Sequence, residues 1–147
     1  MTQTRIMTND DKNLWRERWF RCVNELTSLD LQKNSWLDKT HTNPHWSFVE
    51  FMCSYFDDLG IDDHYKYPID KGWLTNLEFE IIRDWHKALD KYDSPKNDDY
   101  DHSAILNDPK WLDILQIGQK MKGKLASTLN ETEKKILNEE LNYLNFL

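Results

Sequence analysis

Helix-start signals recur through this chain at spacings that leave room for little except helices. Asn43-Pro44-His45-Trp46 and Asp108-Pro109-Lys110-Trp111 share one grammar. The Asx side chain can accept an orphan backbone N–H, and proline takes the first helical position without removing a needed donor. Thr75-Asn76-Leu77-Glu78 fits a capping box, with Leu74 and Phe79 placed as its hydrophobic staple. Asn130-Glu131-Thr132-Glu133 repeats the Asx-to-Glu spacing. Near the amino end, Thr8 or Asn9 precedes Asp10 and Asp11, whose carboxylates suit the positive end of a helix dipole. Five helix starts are expected.

Periodicity agrees with the punctuation. Trp15, Trp19, Cys22, Val23, Leu26 and Leu29 fall within an arc of about 120° at helical pitch, an ordinary amphipathic face. Leu77, Ile81, Ile82, Trp85, Ala88, Leu89 and Tyr92 form a second stripe, and Ile136, Leu137, Leu141, Leu144 and Leu147 a third. The segment after Asn43 is different: its apolar residues from Trp46 to Leu59 cover about 220° of the circumference, which predicts a central helix. Gly60 stands where a left-handed helix stop is expected. No run alternates at strand period, and no sequence repeat extends beyond the shared helix-start grammar.

A mean hydropathy of -0.83 would by itself point to disorder. Seven Trp, six Phe and six Tyr in 147 residues point the other way, because they supply enough burial to offset chain entropy. The expected fold is a single all-α domain over residues 1–147, an irregular bundle of about five helices with long acidic connecting loops. Residues 1–8 are expected as a flexible amino-terminal tail. With no apolar leader or span in the sequence, cytoplasmic residence is the expectation. Cys22 and Cys53 form no metal-knuckle or redox spacing and are expected as buried free thiols. The run Lys120, Lys122, Lys124, with Gly118 and Gly123, is expected as a frayed helix end and linker.

Formal charge is -7, and the excess lies in the middle of the chain. Residues 40–73 hold six acidic and two basic side chains, and residues 74–102 hold eight and four. Much of this sits in two turn-rich stretches, 57–63 and 93–101, which read as loops bearing carboxylates.

Chemistry-bearing patterns are sparse. No GxSxG elbow, GxGxxG turn or GxxxxGK phosphate loop is present, and neither acidic loop has the oxygen-ligand spacing of an EF-hand. The enzyme reading is weak, no catalytic residue is assigned and no cofactor is expected. Arg16, Arg18 and Arg21 interleave with Trp15, Trp19 and Phe20 as in a nucleic-acid groove. Both Trp point into the apolar arc and the net charge opposes a polyanion, so a core face with a solvated flank is expected, with no nucleic acid and no membrane as partner. A metal site is the alternative reading, built from His41, His45, His64 and His102 with nearby carboxylates.

The leading expectation is a small acidic protein-interaction module, in one concrete form an inhibitor or immunity-type protein masking a basic partner. Asp57, Asp58, Asp62, Asp63, Asp98, Asp99 and Asp101 would steer that partner, and Tyr65, Tyr67, Trp73 and Tyr100 would anchor it. Oligomeric state does not follow from the sequence.

Overall fold

The computed structural model describes residues 2–40 and 45–141. Asn43 and Pro44 of the expected helix start, His41, and Leu144 and Leu147 of the last stripe lie outside them; His45 and Trp46, expected in that helix's first turn, are not helical, and the helix starts at Phe48, where the Ser47 hydroxyl accepts the Glu50 N–H. The described residues are all-helical, with no strand and eight α-helices where the punctuation predicts about five. In chain order these are α1 (Thr2–Thr27), α2 (Leu29–Trp36), α3 (Phe48–Phe56), α4 (Lys66–Asp70), α5 (Asn76–Asp90), α6 (His102–Leu106), α7 (Pro109–Ala126) and α8 (Glu131–Leu137), with a short 3-10 turn at Pro95–Asn97.

Three starts form as their spacing dictates. The Thr75 hydroxyl accepts the Glu78 N–H at 3.1 Å while the Glu78 carboxylate accepts the Thr75 N–H at 2.9 Å, completing the capping box of α5. Asp108 caps α7 ahead of Pro109, and Asn130 caps α8 by accepting the Glu133 N–H. The start expected at Thr8 or Asn9 is not one: α1 already runs from Thr2, so residues 2–8 of the expected tail are helical. No glycine or proline in that stretch interrupts a helix propagating from its buried half. The three additional helices, α2, α4 and α6, are five to eight residues long. Segments that short span only about one to two helical turns, too few for an amphipathic stripe to stand out.

α1 is the hub, packing against α2, α3, α7 and α8, while α5 packs along α7. Trp15, Trp19, Phe20, Val23 and Leu26 of α1 meet Phe51 and Tyr55 of α3, Ile82, Trp85 and Leu89 of α5, and Trp111, Ile114 and Leu115 of α7 in one core. α3 is therefore not the central helix. Its Phe48, Phe51 and Tyr55 are buried, but Val49, Met52 and Phe56 are only half-buried. Cys53 is exposed, correcting its expected burial; Cys22 is buried as expected.

Residues 118–124 are no linker, since all of them lie within α7. Gly118 is buried where α7 packs against Thr27 of α1 and Trp85 of α5. A Cβ there would lie 2.6 Å from Thr27 Cγ2 and 2.7 Å from Trp85 Nε1. No described helix is long and apolar enough to cross a membrane.

One buried ionic cluster ties three helices together. Arg16 of α1 makes paired hydrogen bonds to Glu78 of α5, at 3.0 and 2.7 Å, and to Glu133 of α8, at 2.7 and 3.1 Å. Its remaining Nη1 contact, at 2.8 Å, is to the Trp73 carbonyl. Arg16 thus has its guanidinium inside the protein, which rules it out of the solvated flank expected for it.

Candidate functional site

The first acidic loop is fixed from beneath. α3 ends at Asp57, and Gly60, at φ 64°, takes the left-handed turn expected of it. Trp15 Nε1 donates to the Leu59 carbonyl at 3.0 Å, and His86 Nε2 to the Asp62 carbonyl at 3.0 Å. The Asp62 carboxylate accepts the His64 and Lys66 N–H groups, both at 3.0 Å. Those backbone donors, Lys66 foremost, hold its carboxyl below the ordinary range. Asp62 is thus chiefly a turn former, while Asp57, Asp58 and Asp63 stand exposed at the surface.

Tyr65 is not a partner-facing anchor. It is completely buried, packed against Trp19, Phe79 and His86, and its backbone is left-handed at φ 54°. That conformation is costly for a bulky residue and persists only where surrounding contacts enforce it. Here the core supplies them: Trp19 Nε1 donates to the Tyr65 hydroxyl, which in turn bonds to the hydroxyl of Tyr55.

Tyr67 and Trp73 do reach the surface, and the structure brings them together. Their rings meet edge to face with centroids 5.6 Å apart, and Trp73 also packs on Trp15 at 6.1 Å. The Arg16 contact to its carbonyl anchors the backbone of Trp73. Together with Leu14 of α1 these rings floor a groove of about 430 Å³ whose rim carries Asp11, Asp57 and Asp58. Arg18 lines the same groove and continues into the next hollow along α1, beside Arg21 and His45. Lys71 Nζ lies 5.7 Å from the centre of the Tyr67 ring, a cation–π contact made within the chain itself.

The chain matches no family model, and no curated protein and no solved structure matches it. Its function has to be read from its own side chains.

Sequence reading missed Asp11 and Leu14. The available signal was Leu14 itself, an apolar residue outside the arc of Trp15, Trp19 and Cys22, and 49% exposed. The second acidic loop is likewise built largely of carboxylates with structural duties. Asp99 accepts the Ser94 hydroxyl at 2.6 Å, Asp98 accepts the Tyr100 N–H, and Asp101 caps α6 through the Ala104 N–H. Tyr100 is 62% exposed, its ring edge-on to His102. None of Asp98, Tyr100 and Asp101 lines the groove of Tyr67 and Trp73, so the predicted residues divide between two surfaces.

The alternative metal cluster does not form among the described residues, where no three His, Cys, Asp or Glu side chains are placed to hold an ion. His45 Nε2 pairs with Glu25 at 2.9 Å, His102 Nε2 accepts the Phe48 N–H at 3.3 Å, and His64 is exposed on the first acidic loop. Although Cys53 is exposed, residual desolvation and then the adjacent Asp57 carboxylate push its thiol up, away from the nucleophilic thiolate.

Proposed function

We propose that this chain is a small protein-interaction module whose acidic, aromatic groove covers a basic surface of another protein, in its most concrete form as an inhibitor or immunity-type protein. The observation that carries the reading is the convergence of Asp11, Asp57 and Asp58 on the exposed ring of Tyr67 and the half-buried ring of Trp73. Carboxylates on a rim raise the encounter rate with a positive partner, and rigid aromatics beneath them give an arginine or lysine a face to stack on. The net charge of -7 acts in the same direction at longer range.

Affinity capture from the native cell, at low and at moderate salt, tests this reading. A basic protein retained by the wild type at low salt, released as salt screens the rim, and not retained by the Asp57→Asn, Asp58→Asn, Tyr67→Ala variant is the expected result. Recovery of no basic protein at either salt, or equal recovery by the variant, would overturn it.

A further inference from the structure

A second groove lies along the amino-terminal half of α3, whereas the groove of Tyr67 and Trp73 lies beyond the carboxyl end of that helix, at Asp57–Gly60. At 100° per residue, Val49, Met52 and Cys53 fall on one side of that helix. Val49 and Met52, with the buried Phe48 and the ring of Tyr92, floor a recess of about 360 Å³. The Tyr92 hydroxyl donates to Asp108 at 2.9 Å and is committed there, so the ring serves the floor as apolar surface. Asp93 and Asp99 stand on the rim, both exposed, and the loop from Asp93 to Asp101 holds four carboxylates against the single Lys96.

An apolar floor under a negative rim has a specific complement. A purely apolar side chain would leave the carboxylates desolvated without a partner, and an anion would be repelled by them. A second copy of this chain carries the same -7 charge and would meet its own sign. A lysine or arginine satisfies both parts, laying its methylene stem on Val49 and Met52 and its charged head between Asp93 and Asp99. We infer that this groove is a second docking subsite, taking a basic side chain of the same polypeptide partner that engages Tyr67 and Trp73. This rests on the function proposed above and sharpens it. The partner must reach along α3, past the exposed Glu50 and Cys53 to Asp57 beyond its end, and so must present two cationic anchors separated by about 10 Å, the rise of roughly seven helical residues.

The test uses the full chain, labelled for amide NMR, titrated at low salt with a capped hexapeptide of alternating arginine and leucine and with its glutamate and leucine counterpart. Saturable shifts at Val49, Met52 and Asp99 with the basic peptide alone, weakened about threefold to tenfold by Asp93→Asn combined with Met52→Ala, are expected. Asp93→Lys alone repeats the test at a surface position should the double variant unfold. Shifts confined to the groove of Tyr67 and Trp73 would overturn the second subsite and leave the broader reading standing. Shifts in neither groove would overturn both, and equal shifts with the glutamate peptide would remove the charge complementarity on which the subsite depends.

Discussion

The Tyr55 hydroxyl lies 2.8 Å from His86 Nδ1 in the core, and the direction of that hydrogen bond is fixed by groups at both ends of the chain it belongs to. At one end Trp19 Nε1 can only donate, and it donates to the Tyr65 hydroxyl. At the other the Asp62 carbonyl can only accept, which places the proton of a neutral His86 on Nε2 and leaves Nδ1 an acceptor. Tyr65 must then donate to Tyr55 and Tyr55 to His86. Every group is satisfied in one arrangement, which requires the neutral imidazole and joins the core to the first acidic loop.

Protonating His86 reverses that chain and leaves the Tyr65 hydroxyl with no acceptor in it. Burial, the largest influence, lowers the His86 pKa below its ordinary 6.5, against the pull of the Asp62 carbonyl and of Asp90, Asp63 and Asp62. A histidine held neutral in the fold contributes stability that is present above pH 6.5 and lost as pH falls from there through the folded value. The stability advantage of wild type over His86→Gln, from urea unfolding at pH 7.5 and pH 5, should therefore shrink on acidification. An advantage that stays constant would show that His86 titrates alike in folded and unfolded chains.

His45 is expected to behave with the opposite sign. Burial works against its charge, but the 2.9 Å contact to Glu25, with Glu50 and Asp58 beyond, prevails and raises its pKa above 6.5. The resulting stabilisation is complete below pH 6.5 and disappears as pH rises through the folded value. In the same unfolding series the advantage of wild type over His45→Gln should grow on acidification, so the two variants diverge in opposite directions. Imidazole resonances followed by NMR would give both titrations directly.

What could be read in advance follows the range of the forces involved. Thr75, Asp108 and Asn130 act on donors two or three residues away, so their spacing alone places α5, α7 and α8. Ser28 caps α2 by the same chemistry, accepting the Leu31 N–H at 3.2 Å, but it lies one residue beyond α1 and its signal merges with that helix. The exposure of Cys53 depends on which side of α3 meets α1, and an apolar arc of about 220° does not say. At the surface, Tyr67 and Trp73 were identifiable as aromatics beside acidic turns. The burial of Tyr65 and the arrival of Asp11 and Leu14 at the groove depend on contacts more than forty residues apart, such as Trp15 Nε1 to Leu59.

The two glycines of α7 should respond oppositely to the same substitution. Gly118→Ala drives a methyl against Thr27, whose hydroxyl is held by the Val23 carbonyl, and against the fully buried Trp85, so neither neighbour can yield cheaply. A loss of about 1–3 kcal/mol is expected, the range for overpacking a filled core. At the exposed Gly123 nothing lies within 4 Å of an added Cβ, and Gly123→Ala should gain about 0.5–1 kcal/mol from helix propensity. Denaturant unfolding of both variants is decisive, since a like-signed change would mean that α7 is not seated against Thr27 and Trp85.

Removing Arg16 is expected to be as costly as truncating a buried aromatic. Its side chain is 9% exposed and that of Glu78 is 7%, so Arg16→Ala would strand a buried carboxylate, a change that typically costs about 3–5 kcal/mol. Desolvation alone would raise the Glu78 pKa, but hydrogen bonds from Arg16 and Thr75 overcome it and hold the carboxyl below its ordinary 4.5. The stabilisation from Glu78 is thus present above pH 4.5 and lost as pH falls through the lower folded value. Arg16→Ala should destabilise the protein near neutrality and also flatten the acid limb of its stability curve. Arg16→Met, which fills the space but still strands the charge, should recover little unless Glu78→Gln accompanies it. If Arg16→Met alone restored wild-type stability, packing rather than the ion pair would be what joins α1 to α5 and α8 at this point.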